Sequence, residues 1–362
     1  MRKIDLTLVR NQEVFVGIDV SKRSYAVAVR SEGLLIHRDS CAADYTHLRG
    51  LWARLPGCRI HAVYEAGFSG FGLYDQLVAD GIDAVVTPPS KVPRTMDRVK
   101  TDRLDAQKLA RELENGNLRR CRVLTPEARE AREWSRYLIQ LTQQKTRLKN
   151  QIKSRLAWHG IHVAADGPRC WSQAYRTQIL EQTAGGDSIE EILRDMLVRL
   201  TEIERRALAM KHQLRTLARS AAYRTSVTLL ESAPGIGWLT AIRLVLEWGD
   251  PGAFRNGAAF VSYLGLTPSA YSSGDRIRRG RITRQGNGWV RAWLVEVRRT
   301  PDSFGAAWKA ITIDPVLAAR FRRIAPGSAN KKRAIVAVAR TLALRLRACW
   351  RSGQPYVIGV IR

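Results

Sequence analysis

The sequence has few acidic residues for its length, and this shortage determines its charge. Its 362 residues include 33 Asp and Glu against 60 Lys and Arg, which gives a formal net charge of +27 at pH 7. Such an excess favours binding to a polyanion through phosphate contacts and counterion release. Charge alone fits a nucleic-acid enzyme and a basic ribosomal or chromatin-type protein equally well. A membrane-surface protein fits less well, because the basic residues are spread along the chain and do not line one amphipathic helix.

Cysteine pairs, clustered histidines and long apolar runs are also missing. The five cysteines are odd in number, far apart and without a C-x-x-C pair, which argues against a disulfide framework and a zinc site. The six histidines show no ligand spacing. No apolar run approaches the roughly 18 residues of a membrane-spanning helix, and the N-terminal region lacks the apolar core of a secretion signal. These features predict two or three folded domains in a reducing cytoplasm.

Four of the scarce acidic residues occupy informative positions. Asp19 ends an apolar run, and Glu65 ends another, so both are predicted at strand ends. Asp102 and Asp105 are one helical turn apart and project from the same face of a predicted helix. For this last pair, an exposed first helical turn is the competing interpretation. Because Mg²⁺ takes carboxylate and phosphate oxygens as ligands, the four acids together predict a Mg²⁺ site, with Mn²⁺ as an alternative, in an enzyme that acts on DNA.

The N-terminal part alternates short strand and helix signals. Three strands come first, and strands and helices then alternate, which is the order of a ribonuclease-H-like, or RuvC-like, α/β domain. In such a domain the sheet presents its metal-binding carboxylates at strand ends. Thr101 is a candidate cap for the helix that carries Asp102 and Asp105. The predicted strands cover residues 14–19, 25–29, 34–37, 59–65 and 82–87, and the predicted helices 45–55 and 70–79.

From residue 126 the pattern changes to long helices. A second long helix begins at residue 188 with the pattern of a capping box. It carries four heptads of a coiled-coil seam, which packs either in an antiparallel hairpin within the chain or between subunits. The length of the seam favours subunit association. The seam residues are Ile189, Leu193, Met196, Leu200, Ile203, Ala207, Met210, Leu214 and Leu217.

The remaining C-terminal part is interpreted as mainly helical and loop-rich, with two basic segments. The glycine turn at 232–237 precedes an apolar helix and can hold a phosphate there, although such turns are also common without a ligand. The first basic segment predicts a phosphate-binding strip, and the second, on a final helix from about residue 330, predicts another basic surface. The residues are Arg276, Arg278, Arg279, Arg281 and Arg284 in the first segment, and Lys331, Lys332, Arg333, Arg340, Arg345 and Arg347 in the second.

Seven short motifs, in this order, resemble the DEDD-type insertion-sequence transposases related to the Piv DNA invertases, the IS one-ten group. Each motif is modest by itself, but together they extend from about residue 13 to about residue 350. They are Gly17-Ile18-Asp19-Val20-Ser21-Lys22, Tyr64-Glu65-Ala66-Gly67, Lys100-Thr101-Asp102-Arg103-Leu104-Asp105-Ala106, Pro234-Gly235-Ile236-Gly237, Gly265-Leu266-Thr267-Pro268, Tyr271-Ser272-Ser273-Gly274 and Gly286-Asn287.

The resemblance implies a DNA recombinase that cuts and rejoins strands and is guided by an element-encoded bridge RNA. It implies a RuvC-like nuclease domain over residues 1–124, a helical coiled-coil region over 125–222 and a transposase domain over 223–362. The partners would be donor and target DNA, the bridge RNA and further copies of the chain, as a dimer or tetramer. The setting would be the prokaryotic cytoplasm, at the nucleoid when active.

The resemblance also implies residue roles. Asp19, Glu65, Asp102 and Asp105 would be the catalytic metal ligands, and Ser273 the nucleophile, with Ser272 as the second candidate. A serine in such a loop is usually a turn residue, and its hydroxyl is a poor nucleophile unless its proton is removed and the phosphate charge is neutralised. The family is expected to join the metal site and the serine in a composite centre from different subunits. Two alternatives stay open: a RuvC-like nuclease or junction resolvase that needs the acids but not the serine, and a non-catalytic nucleic-acid-binding protein.

Overall fold

The structure is a computed structural model that describes residues 9–92, 102–162, 170–185, 188–273, 276–295, 305–327 and 330–359. For residues 91, 102–103, 270–273 and 276–279 it describes the backbone alone. The chain divides into two compact units, Met1–Leu124 and Thr125–Arg362. Within the described ranges, no helix combines the length and apolarity that crossing a membrane requires.

The first unit is built on a five-stranded mixed sheet with the order β3-β2-β1-β4-β5. The first three strands are antiparallel neighbours, whereas β1, β4 and β5 are parallel. This α/β arrangement is compatible with the predicted RuvC-like domain. The elements are β1 (Glu13–Val20), β2 (Ser24–Ser31), β3 (Leu34–Ala42), α1 (Tyr45–Trp52), β4 (Arg59–Glu65), α2 (Gly72–Ala79), β5 (Asp83–Thr87) and α3 (Asp102–Glu114).

The two faces of this sheet are packed differently. On one face, large apolar side chains such as Ile18 and Tyr64 are fully buried in a core with α1 and α2. On the other face, small residues allow α3 to lie directly against the strands. A Cβ atom at Gly17 would lie only 2.0 Å from the carbonyl oxygen of Ala106 and 2.5 Å from the amide nitrogen of Ala110. The position therefore accepts no side chain, and glycine there fixes the height of α3 above the sheet.

Most predicted strands and helices of this unit are present, with shifted ends. The predicted helix at 45–55 ends at Trp52, and the predicted third strand continues to Ala42. The second helix begins at Gly72, two residues later than expected. The proposed cap at Thr101 lies outside the described residues.

The second unit is mainly helical and contains one two-stranded hairpin. Its long first helix begins at Pro126, where the hydroxyl of Thr125 accepts a hydrogen bond from the amide of Ala128. The elements are α4 (Pro126–Trp158), α5 (Gln173–Gln182), α6 (Ser188–Arg219), α7 (Arg224–Glu231), α8 (Trp238–Trp248), α9 (Gly257–Tyr263), β6 (Pro268–Ser273), β7 (Arg276–Ile282), α10 (Gly288–Val295), α11 (Ala306–Ile313), α12 (Pro315–Ile324) and α13 (Lys331–Ser352).

The heptad seam of α6 is buried within the chain. Leu193 and Leu200 are fully buried in a cluster with Ile152 of α4 and Ile179 of α5. Farther along, Leu214 of α6 joins the main core of the second unit. Of the two alternatives for the seam, the structure contains the intrachain one, and the preference for a second subunit as its partner is corrected.

The hairpin β6–β7 was not predicted from the sequence. Its second strand contains the Arg-rich segment, in which only Ile277 and Ile282 are apolar, so the alternation that indicates a strand is absent. The first strand pairs Pro268 with Ile282 at one end and Ser273 with Arg276 at the other.

Candidate functional site

The carboxyl ends of β1 and β4 place two of the predicted acids side by side. These strands are parallel neighbours, and Ile18 pairs with Tyr64, so Asp19 and Glu65 are the next residues in register. Side chains alternate between the faces of a strand. Asp19 therefore shares the face of Gly17, and Glu65 that of Val63, which packs against Leu109 of α3. Both acids face the α3 side of the sheet.

Helix α3 runs antiparallel to β1, which brings its N-terminus to the same edge. Near its C-terminus, Glu114 accepts hydrogen bonds from the Nε of Arg30 and from the amide of Gly33, each at 2.7 Å. Arg30 pairs with Phe15, close to the start of β1. The opposite end of α3, with Asp102 and Asp105, consequently lies toward the end of β1 that carries Asp19.

This edge of the sheet, the acidic edge, is defined by Asp19, Glu65, Asp102 and Asp105. It brings together oxygen donors but does not form a complete set of metal ligands. In the part of the chain that the structure describes, no three His, Cys, Asp or Glu side chains lie close enough to hold a metal ion. Asp19, Glu65 and Asp105 are each half-buried, and the side chain of Asp102 lies outside the described atoms. The chemistry of the set, carboxylates only, fits a hard divalent cation.

A buried threonine beside Glu65 was missed by the sequence analysis. Thr87 pairs with Glu65 across β4 and β5, and Val85 on the same face packs against α3. Thr87 is fully buried, yet none of the residues that the structure describes is a hydrogen-bond partner of its hydroxyl. Buried hydroxyls are normally satisfied, so this atom has unused capacity at the acidic edge. A threonine that ends an apolar strand is common, and no sequence signal singled it out.

The predicted serine lies at the tip of the hairpin. Ser273 is the last residue of β6, and Ser272 precedes it in the same strand, paired with Ile277. Their side chains, Gly274 and the side chains of Arg276, Arg278 and Arg279 lie outside the described atoms.

Two glycines hold the base of this hairpin in close backbone contact. Gly265 has φ +64°, and a Cβ there would lie 2.4 Å from the carbonyl oxygen of Gln285. Gly286 has φ +115°, and its Cβ would lie 2.0 Å from the carbonyl oxygen of Tyr263. Two motifs that are separated in sequence, 265–268 and 286–287, are thus adjacent at the base of the hairpin. The turn at Gly235 is likewise structural, because a Cβ there would lie 2.5 Å from the carbonyl oxygen of Ala306.

A buried ion pair supports the same region and was also missed. Glu247 is only 1% exposed and accepts hydrogen bonds from Arg136, Nε to Oε1 at 3.0 Å and Nη2 to Oε2 at 3.1 Å. The amide nitrogen of Asn287 donates to Glu247 Oε2 at 2.8 Å. The Asn287 side-chain oxygen in turn accepts from the amides of Trp289 and Val290 at the start of α10. This network joins α4 and α8 to the turn that follows the hairpin.

The predicted basic residues separate into two groups. Arg281, Arg284, Lys332, Arg333 and Arg340 line a single groove, whereas Lys331 is exposed at the start of α13 outside the groove lining. The assignment of Arg345 and Arg347 to a basic surface is wrong, because Arg347 is buried and the side chain of Arg345 is only 10% exposed.

These two arginines have internal partners. Arg345 donates to Asp314 Oδ2 at 2.8 Å, and Arg347 donates to the carbonyl oxygen of Phe254 at 2.6 Å. Burial opposes ionisation of Asp314, but hydrogen bonds from Tyr356 and from the first amides of α12 keep the pKa of Asp314 below its usual value. These arginines therefore stabilise the C-terminal helices.

Comparison with known proteins agrees with this geometry. Residues 16–159, which include the acidic edge, match a family model of the DEDD IS110 type described as a transposase. Residues 227–322, which include the serine hairpin, match a model described as the transposase IS116/IS110/IS902 family.

Similar proteins cover nearly the whole chain. A Sinorhizobium fredii protein named as a transposase, y4qE, is 29% identical over 92% of this chain and 87% of its own length. The transposase for insertion sequence element IS1533 of Leptospira borgpetersenii is 26% identical over 95% of this chain and 97% of its own. The transposase for IS1111A of Coxiella burnetii is 23% identical over 67% of this chain and 65% of its own.

The fold, the acidic edge and these matches define a transposase, an enzyme that cuts and rejoins DNA for the mobility of an insertion sequence. Within that class, two segments of the chain match models of the IS110/IS116 family. Its DEDD domain indicates dependence on a divalent metal ion.

Proposed function

We propose that this transposase uses a Mg²⁺ site at the acidic edge together with a serine nucleophile, and that an element-encoded bridge RNA guides it. The observation that carries the metal site is the adjacent register of Asp19 and Glu65 beneath the N-terminus of α3. Asp102 and Asp105 complete the set, and Mn²⁺ is the alternative ion. The functional regions are 1–124, 125–222 and 223–362, acting as a homodimer or tetramer.

The carboxylates have two roles in this proposal. They hold the cation, which when bound neutralises charge on the scissile phosphate. They, or water bound to the metal, are also proposed to take the proton of Ser273, since no histidine lies near that serine in the sequence. The hydroxyl of Thr87, which has no partner among the described residues, would hydrogen-bond to one of the metal-binding oxygens beside Glu65 and orient it.

The serine would conserve the energy of the phosphodiester. The Ser273 oxygen attacks phosphorus, an ester bond between serine and phosphate forms, and the bond from phosphorus to a deoxyribose oxygen breaks. The proton of the serine hydroxyl passes to the departing oxygen. Attack by a new deoxyribose hydroxyl reverses these steps and joins the strand. Arg281 and Arg284 of the adjacent strand end, with Lys332 and Arg333, are proposed to bind nucleic acid, as are Arg276, Arg278, Arg279 and Lys331.

A covalent-adduct assay tests the serine. Wild-type protein incubated with a nicked duplex and then denatured should retain DNA, whereas Ser273→Ala should bind DNA without retaining it. Ser272→Ala is the matched control. Loss of adduct in Ser272→Ala alone would move the nucleophile by one residue. Strand cleavage that proceeds unchanged in both variants would show hydrolysis, as in a RuvC-like nuclease, and would overturn the serine mechanism.

Two further measurements test the partners. Sequencing of RNA that copurifies with the full chain should return a single element-encoded transcript, and a random mixture would contradict the bridge-RNA assignment. Light scattering of the same preparation should give the mass of a dimer or tetramer.

A further inference from the structure

A concave basic groove of about 820 Å³ lies in the second unit between the base of the hairpin and two helices. Its walls come from β7 and the residues after it, from α12 and from α13. The remaining lining residues are apolar or glycine, and the groove lining contains no acidic side chain and no aromatic ring among the residues that the structure describes. Six cations line it: Arg281, Arg284, Arg320, Lys332, Arg333 and Arg340.

The groove brings cations together, and its described lining has no acidic side chain to neutralise them. The pKa of Arg320 is lowered, first by burial and then by the neighbouring charges of Arg323 and Arg340. The Nε atom of Arg320 is buried and has no hydrogen-bond partner within the described ranges. Repulsion between such groups opposes folding of the free protein. An anion in the groove would remove that repulsion.

The start of α13 adds positive potential at the same place. Helix N-termini carry partial positive charge and favour acidic residues. Here the first turn contains Lys331, Lys332 and Arg333 and no acidic residue, and the side chain of Asn330 makes no capping hydrogen bond. The helix terminus and the side chains therefore reinforce one another as an anion site.

We propose that this groove binds the phosphodiester backbone of a nucleic-acid duplex and holds it at a fixed distance from the serine hairpin. Arginine forks match phosphate oxygens in pairs. Among the described residues, the lining offers no aromatic ring for stacking an unpaired base. Contacts of this kind position a duplex without selecting its sequence.

The length of the hairpin sets the distance between the groove and Ser273. This part of the inference rests on the proposed role of Ser273. Pro268 pairs with Ile282 at the groove, and Ser273 lies five residues farther along β6. Five strand residues span roughly 16 Å. Because each strand of a duplex advances 3.4 Å per nucleotide, the groove would grip the backbone about five base pairs from the phosphate at Ser273.

The test uses the full chain and two double variants, called the groove pair and the control pair, which differ only in where charge is removed. Arg320→Gln with Arg340→Gln removes two cations from the groove, on α12 and α13. Arg322→Gln with Arg351→Gln removes two exposed cations from the same two helices, outside the groove lining. Fluorescence anisotropy over a series of salt concentrations measures binding to a 20-base-pair DNA duplex, to a second DNA sequence and to the equivalent RNA duplex.

The groove pair should reduce the slope of log affinity against log salt by about 2, because each lost phosphate contact accounts for about 0.9. Affinity at physiological salt should fall by about tenfold or more, equally for the two DNA sequences, while the control pair keeps the wild-type slope. A change with the DNA duplex alone, or with the RNA duplex alone, identifies which backbone the groove holds. A groove pair that behaves like the control, or a loss confined to one DNA sequence, would overturn the proposal.

Two readouts separate this inference from folding and from the serine mechanism. The thermal midpoint of the free groove pair should equal or exceed that of wild type, since repulsion has been relieved, and a lower midpoint would contradict the electrostatic argument. If wild-type protein forms no serine adduct but the slope still falls by 2, the groove stands while the serine mechanism fails. If adducts form and the slope is unchanged, the groove fails alone.

Discussion

The acidic edge of the first unit and the basic groove of the second unit reach their composition by opposite routes. At the edge, backbone geometry places the functional atoms: Asp19, Glu65 and Thr87 end three neighbouring strands in register. In the groove, side chains from β7, α12 and α13 meet only because their helices pack side by side. The comparison teaches that the proposed metal site depends on one tight backbone contact, whereas the proposed phosphate site depends on charges from several separate elements.

The largest effect should follow removal of one charge at the edge. Asp19→Asn keeps the volume of the side chain but removes a ligand charge, so strand cleavage in Mg²⁺ should fall at least about a thousandfold, given the several kcal/mol that a metal contributes. Affinity for DNA should stay near that of wild type. Asp39→Asn is the control, since Asp39 is exposed on β3 of the same sheet. Cleavage at the wild-type rate by Asp19→Asn would refute the edge as the metal site.

The ion pair inside the second unit should stabilise the folded protein, whereas the groove charges oppose folding. Glu247→Gln removes the buried charge that accepts two hydrogen bonds from Arg136, whose own side chain is 36% exposed, and should lower the unfolding free energy by about 2 kcal/mol. Urea unfolding followed by tryptophan fluorescence measures this change. Glu133→Gln, an exposed partner of Arg136 at 3.9 Å, should change little. The double variant Arg136→Gln with Glu247→Gln should lose less than the sum of its single changes, and simple additivity would argue against the pair.

A methyl group at Gly17 should test whether backbone contact sets the edge. Gly17→Ala brings a Cβ within 2.0 Å of a carbonyl oxygen of α3, so the helix must move, at an expected loss of about 2 kcal/mol. Gly50→Ala is the matched change, because Gly50 lies in α1 with open space around it, and it should be neutral or stabilising by up to about 1 kcal/mol. Differential scanning calorimetry on both variants distinguishes them. Equal midpoints would mean that α3 is not held by this contact.

The smallest effect should come from Thr87. Thr87→Val removes a hydroxyl for which the described residues provide no hydrogen-bond partner, so stability of the metal-free protein should not fall. Activity should fall by about tenfold, as for other groups that orient metal-bound atoms. The Mg²⁺ concentration that produces half of the full Mg²⁺-induced rise in the thermal midpoint should increase. Thr87→Ser should restore both. A loss of stability without a change in Mg²⁺ dependence would make Thr87 a packing residue only.

The sequence predicted the strand positions of Asp19 and Glu65 because the signals for them are local. Apolar runs that end at Asp19 and Glu65 specify strands, and parallel strands bring their carboxyl ends to one edge without further information. The order of three strands followed by alternation predicted the α/β class for the same reason. Gly17 belonged to a recognised motif, but its role as the contact point for α3 required knowledge of which residue lies opposite.

The groove and the ion pair could not be predicted, because the residues that form them are far apart in the sequence. Arg320 and Arg340 are separated from Arg281 by tens of residues, and nothing local tells them apart from Arg345, which pairs with Asp314. Glu247 lies next to Trp248 at the end of an apolar helix, and its burial is explained by Arg136, more than a hundred residues earlier, and by Asn287, 40 residues later. The hairpin was missed because arginine-rich strands lack the apolar alternation that marks a half-buried strand.

The crowded cations at the start of α13 also bear on how long the protein survives in a cell. A ligand that binds only the folded form raises the free energy of unfolding by RT ln(1 + [L]/Kd), about 2.7 kcal/mol at a concentration of 100 Kd. Copies with nucleic acid in the groove would then open less often than empty copies, and proteases act on the opened chain. The same repulsion that prepares the groove for phosphate would thereby shorten the lifetime of any molecule that has found no nucleic acid, and would keep the pool of idle enzyme small.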